Sequence, residues 1–337
     1  MTDIPPIELG FGNRKPPATI YDIARQAGVS PSTVSRALNK PGRINVKTEQ
    51  RIRDAAMSLG YRANPMARAL PTGRTGTLGL MLSDITNPVY FDLIRGAERV
   101  TSAAGQTLVL AESQEAVERE LDAAERLLTS VDGLILVASR LHDEQIIELS
   151  AVKPVVLVNR LVEGIASIVP DVVPGLSDAV AHLAALGHRS LAYLAGPSAS
   201  WMNAVRWQTL FDLAVEAGIS IVEIGPGAPT MAGGSALLPR VVASGVTAVI
   251  AYNDLMALGV LRSCREQRIL VPDRLSVIGF DDIFGADLTT PALTTIRSPL
   301  AELGETAARL LSERSDTGIP VSPPTVFVPR ASTTAVR

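Results

Sequence analysis

Residues with catalytic chemistry are sparse in this chain. Its three histidines, His142, His182 and His188, have no cysteine or carboxylate at metal-ligand spacing. Gly225 to Gly234 is glycine-rich but lacks the lysine of a phosphate loop, and its prolines suit an ordinary loop. No nucleophile stands beside a base. Asp281 and Asp282, neighbours at the end of a candidate strand, point to different sides. The chain is therefore not expected to be an enzyme, and neither a metal nor a cofactor is expected. Two groups of residues suit reversible binding instead. Ser32, Thr33, Ser35 and Arg36 form the short polar set that a major-groove reader needs. Ser83, Asp84, Asn159, Arg160, Asn253, Asp254, Asp281 and Asp282 each follow a short apolar run. Amides, carboxylates and arginine suit a hydroxyl-rich ligand. Arg206, Trp201, Tyr90 and Phe91 add a fork donor and aromatic faces.

The first group needs a helix to present it. Thr19 and Asp22 make a capping box before an amphipathic run over 20–27, which Gly28 ends. Ser30 caps a second helix over 31–38 that begins at Pro31 and buries Val34 and Leu38. Asn45 caps a third over 46–59, whose Ile52, Ala55, Ala56 and Leu59 supply the platform, and Gly60 stops it. From Arg14 to Thr75 there are twelve Lys and Arg against three acids, or +9. The total is −3, so the remainder carries −12. A basic head on an acidic body can grip phosphates while the body stays off the polyanion. Asn64 and Pro65 open a helix little longer than one turn, 66–70, stopped by Pro71. So short a helix is marginal in water alone, which suits an element that orders on a partner. Residues 71–76 read as a linker.

The second group needs strands. After Gly76, apolar runs alternate with helical stretches, as in βαβ units around a parallel sheet. Candidate strands lie at 78–82, 107–110, 133–137, 155–158, 190–194, 220–224, 247–251 and 275–279. They fall into two groups that break near 167–170. Ligands of open α/β sheets sit at strand C-terminal ends, where the polar residues named above fall. At 337 residues, with 47% hydrophobic and 19% charged, the chain has the balance of a folded multidomain protein. No apolar run approaches the roughly 20 residues of a membrane span. Residues 1–12 lack the pattern of a secretory signal and read as part of a disordered leader. The single Cys264 fits a reducing cytoplasm.

The stretch TIYDIARQAGVSPSTVSRALN, followed by LGYRANPMARAL and TGRTGTLGL, resembles the head and hinge of the lactose-repressor (LacI/GalR) family of bacterial regulators. SDITNPVYFDLIRGAE, VDGLIL, LGHRSLAYLAGP, AYNDLMALG, PDRLSVIGFDD and PALTTI carry the likeness through the body. It implies a helix-turn-helix DNA-binding head with a hinge helix, then an α/β two-lobed effector domain like periplasmic binding proteins. The expected organisation is a leader over 1–17, the head over 18–62, hinge and linker over 63–75, and the effector domain over 76–337. Within that domain, lobe 1 takes about 76–168 and 298–317, and lobe 2 about 169–297 and 318–337.

The resemblance also implies site residues. Pro31, Ser32 and Arg36 face base edges, Arg36 able to donate bidentately to guanine. Thr19, Tyr21, Thr33, Ser35, Asn39 and Tyr61 match backbone-contacting positions. Asn64, Ala67 and Leu70 match the hinge, with Leu70 as a minor-groove wedge. Arg206, Asn253 and Asp281 match the most recurrent effector contacts, and Asp84, Tyr90, Phe91, Asn159, Trp201 and Ser298 match further ones. The implied partners are near-palindromic double-stranded operator DNA, a small-molecule effector such as a sugar, and a second copy of the chain in a homodimer. No membrane is involved. A periplasmic-type sugar-binding protein shares the two-lobed body but predicts an export signal and no basic head.

Overall fold

The computed structural model describes residues 18–39, 42–61, 74–313 and 322–336. The chain divides into two compact units, one up to Gly73 and one from Arg74. The expected hinge residues Asn64, Ala67 and Leu70 lie outside the described residues.

The first unit is three helices, α1 (Ile20–Ala27), α2 (Pro31–Asn39) and α3 (Val46–Ser58). Each begins where the sequence places a cap. Thr19 accepts from the Asp22 amide at 3.4 Å and donates its own amide to the Asp22 carboxylate at 2.9 Å, and Gly28 closes α1 at φ 63°. Asn45 accepts from the Lys47 amide at 3.0 Å. Ile23, Ala24, Ala27, Val34, Ala37, Ile52 and Ala55 form the core. Leu59 departs from expectation. It sits at the C-terminal cap of α3, where the helical phase ends, and is exposed.

The second unit holds two parallel sheets. The first has the order β2-β1-β3-β4-β5, from β1 (Thr77–Leu82), β2 (Thr107–Glu112), β3 (Gly133–Val137), β4 (Val155–Val158) and β5 (Ala166–Ile168). Its helices are α4 (Tyr90–Ala103), α5 (Val117–Leu128), α6 (Asp143–Val152) and the late-arriving α11 (Leu300–Glu313). Leu303, Ala307, Ala308 and Leu311 of α11 join the core of this lobe. The second sheet has the order β7-β6-β8-β9, from β6 (Ser190–Leu194), β7 (Ser220–Ile224), β8 (Ala248–Ala251) and β9 (Ser276–Ile278). Its helices are α7 (Val173–Ala185), α8 (Trp201–Glu216), α9 (Met231–Ser244) and α10 (Asp254–Glu266). An antiparallel pair, β10 (Thr295–Arg297) and β11 (Val326–Val328), packs on α7.

Strands β3, β4, β6 and β7 coincide with the apolar runs. The three-residue strands β5, β10 and β11 have no counterpart in the sequence reading, because so short a stretch shows no period. Arg74 to Gly76 are not free linker. The Thr75 and Gly76 amides donate to the Asp132 carboxylate at 2.6 and 2.9 Å, which fastens the start of β1. Asp171 bridges backbone to backbone with Pro324, and Asp281 with Arg297.

Helices α4 and α11 meet backbone to backbone. A Cβ on Gly96 would lie 2.1 Å from the Ala301 carbonyl oxygen, and one on Gly304 2.0 Å from that of Leu93. Neither carbonyl can swing away, so Gly304→Val should cost about 3 kcal/mol, at the upper end of overpacking. The measurement is the urea unfolding midpoint, which is expected to fall; an unchanged midpoint contradicts this packing. Among the described residues no helix is long and apolar enough to cross a membrane, and no cluster could hold a metal ion.

Candidate functional site

In the head, Ser30 caps α2. Its hydroxyl accepts from the Thr33 amide at 3.2 Å and lies 2.9 Å from both the Ser32 and Thr33 hydroxyls. Thr19, Tyr21, Ser32 and Arg36 are exposed, while Pro31, Thr33, Ser35 and Tyr61 are half-buried. Val34 and Ala37 anchor the opposite face of α2. Tyr61 packs its ring against the head core. Asn39 ends α2, and its side chain lies outside the described residues. Arg36, Arg43, Lys47 and Arg51 add an exposed basic surface that none of the described acids pairs with. Arg25 and Arg53, by contrast, pair with Asp22 and Glu49.

In the body, a cleft of about 590 Å³, partly open to solvent, lies between the strand C-terminal ends of the two lobes. Asp84, Tyr90, Asn159, Arg206, Asn253 and Asp281 line it. Phe91, Trp201 and Ser298 do not. Phe91 follows Tyr90 on α4, about 100° around the helix, so Tyr90 turns inward and Phe91 is exposed. Trp201 begins α8 and packs against the second lobe's core. Ser298 is buried behind Asp281, to which its hydroxyl donates at 3.4 Å.

The sheet orders explain the position. In each sheet the order reverses between the first strand and the strand after its neighbour, at β1/β3 and at β6/β8, the switch points where open α/β sheets bind ligands. Ser83 and Asp84 follow β1; Tyr252 and Asn253 follow β8. Ala138 and Arg140 follow β3 and line the cleft too, as does Glu115 after β2; sequence reading did not select them. Backbone strain concentrates here. Gln114, Glu115, Ala138, Asn159, Asp281 and Asp282 all have positive φ, Asp281 at 110°; among the described non-glycine residues only Arg268 shares this elsewhere. Such conformations cost on the order of 1–3 kcal/mol each and persist where function requires a particular side-chain aim.

Arg206 is the centre of the second lobe's wall. Its Nη2 donates to Asp281 Oδ1 at 3.2 Å and its Nη1 to the Tyr252 carbonyl, with the guanidinium 3.6 Å from the Phe280 ring centroid. Its Nε is buried without a partner, and so is Asn159 Oδ1 across the cleft. Burial pushes the Asp281 carboxyl up to about 6, although Arg206 and Ser298 pull it down. Tyr90 hydrogen-bonds Ser83 at 2.6 Å, and burial raises its phenol. Asn253 has structural partners. It caps α10 by accepting from the Met256 amide at 2.9 Å and donates to the Pro229 carbonyl at 3.0 Å, which leaves one proton and one lone pair for a ligand.

Asp254 lies behind the cleft and is wholly buried. It accepts from the Thr295 hydroxyl at 2.6 Å and the Ile283 amide at 2.8 Å. Burial, then Asp281, pushes its carboxyl up to about 8. The folded protein therefore holds this proton more tightly than the unfolded chain, so stability falls as pH rises from about 4 through about 8. Melting temperatures between pH 6.5 and 8.5 should decline in the wild type and flatten in Asp254→Asn; equal slopes would contradict this. Asp282 points away from Asp281, to Arg297 and Arg330 at 2.8 and 2.6 Å.

Comparison with known proteins is consistent over most of the chain. Residues 19–64 match the model of bacterial regulatory proteins of the lacI family, and residues 180–333 that of a periplasmic binding protein-like domain. The HTH-type transcriptional regulator GalS of Salmonella typhimurium is 34% identical over 319 residues, 92% of this chain and 94% of that one. The lac repressor dimer bound to operator and an anti-inducer superposes with a TM-score of 0.84 at 28% identity, over 95% of this chain and 100% of that one. A LacI family regulator from Enterococcus faecium with bound ribose gives 0.68 at 28%, over 77% of this chain and 100% of that one. The chain belongs to the lacI family of bacterial regulatory proteins.

Proposed function

We propose that this protein is a transcriptional repressor that acts in the cytoplasm as a homodimer, with operator affinity set by a sugar or related polar metabolite in the interlobe cleft. The observation that carries the reading is the Arg206–Asp281 pair, with its unpartnered Nε, at the junction of two lobes in a chain with a basic helix-turn-helix head. In this reading α2 enters the major groove, and Pro31, Ser32 and Arg36 meet base edges. Thr19, Tyr21, Thr33, Ser35, Asn39 and Tyr61 hold the phosphates. Asn64, Ala67 and Leu70 form the groove-facing hinge between a head over 18–62 and an effector domain over 76–337. A ligand held by Arg206, Asn253 and Asp281 on one lobe and Asp84, Tyr90 and Asn159 on the other bridges both lobes. It favours the lobe arrangement it fits, and that shift reaches the DNA through the hinge. Ser298 acts at one remove by orienting Asp281. The exposed apolar residues Val109 and Leu110 on the edge strand β2 suit burial against a second copy.

The test is a gel-shift of the full chain on its own promoter region across a salt series. Affinity should fall steeply with salt, as for a protein neutralising several phosphates per head. A panel containing ribose and other neutral sugars is then added. Salt-insensitive or absent binding overturns the regulator reading. A sugar response that survives Arg206→Ala overturns the cleft assignment.

A further inference from the structure

The first lobe contributes its own arginine to the cleft. Arg140 is buried; it donates Nε–H to Glu115 Oε2 at 2.9 Å, Nη2 lies 2.8 Å from the same oxygen, and Nη1 donates to the Ala138 carbonyl at 2.9 Å. Its backbone amide is fixed by Glu120 Oε2 at 2.8 Å. The positive φ of Glu115 (60°) and Ala138 (52°) turns the ends of β2 and β3 so that the partners meet. Arg140 lines the cleft together with Tyr90 of the same lobe and Tyr252 of the other. The described charged residues on the walls are then Asp84, Glu115 and Asp281 against Arg140 and Arg206. Each arginine already has its own carboxylate, and no cation is left over.

We propose that Arg140–Glu115 is a second ligand-recognition pair facing Arg206–Asp281, and that the two compensated pairs restrict the effector to uncharged polyhydroxyl compounds, excluding phosphorylated and carboxylated ones. The proposal rests on the reading of this cleft as the effector site. A guanidinium has five N–H donors, and Arg140 uses three of its own, so the pair still offers donors beside a carboxylate acceptor. Neighbouring hydroxyls, each both donor and acceptor, match that surface. The unpartnered Arg206 Nε and Asn159 Oδ1 ask for one acceptor and one donor, again the capacity of hydroxyls. A phosphate group meets the opposite situation. It loses its hydration, finds no uncompensated guanidinium, and enters a pocket with three carboxylates.

The test uses the full chain, Glu115→Gln, Arg140→Gln and the double variant, with two kinds of probe. The first is inorganic phosphate at constant ionic strength, read as a melting-temperature shift. Phosphate held by the basic head is common to all variants and cancels. Glu115→Gln, which leaves Arg140 uncompensated, should gain a shift over wild type, and Arg140→Gln in the same chain should remove it. The second is calorimetric titration with paired compounds: ribose with ribose 5-phosphate, and glucose with glucose 6-phosphate and glucuronate. In any pair that binds, the neutral member should bind at least ten-fold tighter, and Glu115→Gln should narrow that ratio.

A charged member that binds wild type as tightly as its neutral partner overturns the proposal. So does Glu115→Gln without a phosphate gain, and so does Arg140→Gln with unchanged affinity for a bound neutral sugar. If no pair binds, the phosphate comparison decides alone. Arg206→Ala separates this failure from that of the site itself, because loss of whatever binding exists in that variant keeps the cleft as the effector site even where its preference is for a charged ligand.

Discussion

Arg206→Ala should yield a protein that still binds its operator but no longer answers to its effector. The guanidinium holds Asp281, the Tyr252 carbonyl and the face of Phe280 together, and it keeps an Nε–H for the ligand. Charge-assisted hydrogen bonds contribute about 1.5–3 kcal/mol each. Losing the fork, with Asp281 no longer aimed, should weaken the effector by a hundred-fold or more, roughly 3 kcal/mol. The variant also leaves a buried carboxylate without its cation, an arrangement that costs about 3–5 kcal/mol in stability. Asp281 already titrates near 6 with Arg206 beside it. Without Arg206 its proton is held more firmly still, so the stability deficit should be smaller at pH 5.5 than at pH 8. Melting curves at the two pH values, with operator binding as the check on folding, measure both effects. An effector response within three-fold of wild type contradicts the role given to Arg206.

Arg36→Ala should produce the other large loss, confined to specific operator binding. Pro31 has no donor to offer a base, and the Ser32 hydroxyl is engaged with Ser30 at 2.9 Å. In the proposed reading direct readout rests mainly on Arg36, the exposed fork of α2. A bidentate arginine contact discriminates by about 1–3 kcal/mol. Two heads on a two-fold symmetric operator double this to about 2–6 kcal/mol, or roughly 30- to 10⁴-fold. Binding to unrelated DNA, set by phosphate contacts, should change little beyond about one salt-slope unit per head. Arg36→Lys keeps the charge but not the fork and should rescue unspecific binding only. Anisotropy titrations on operator and scrambled duplexes distinguish these; equal losses on both would assign Arg36 to the phosphates.

Local chemistry made the head legible. Thr19 with Asp22, Gly28, Ser30 with Pro31, and Asn45 each mark a helix end within a few residues, and the structure places the ends there. Leu59 shares a face with Ile52, Ala55 and Ala56 only if the helix continues, and α3 ends at Ser58, so at the cap Leu59 is exposed. The strands β3, β4, β6 and β7 were legible as bounded apolar runs, the first three buried on both faces and β7 a more exposed edge strand. What could not be read was pairing. That β1 lies between β2 and β3 is a long-range fact, and it is what brings Glu115 and Arg140 together beside Ser83 and Asp84. Part of the signal was present: Arg140 stands three residues after the candidate strand over 133–137, but Glu115 lies five after the one over 107–110, further than the polar residues that follow β1, β4 and β8. Phe91 and Trp201 show the opposite error. Their types suit a sugar ring, but helix phase and core packing decide where a side chain faces, and neither reaches the cleft.

Reciprocity offers the most direct test of the central claim, that the cleft ligand and the operator are coupled through the same two lobe arrangements. The compound giving the largest thermal shift is titrated calorimetrically into the protein with and without saturating operator, and operator affinity is measured with and without that compound. The account predicts the same fold change in both directions, five-fold or more, and its disappearance in Arg206→Ala. Operator affinity that stays unchanged when the cleft is saturated would contradict it.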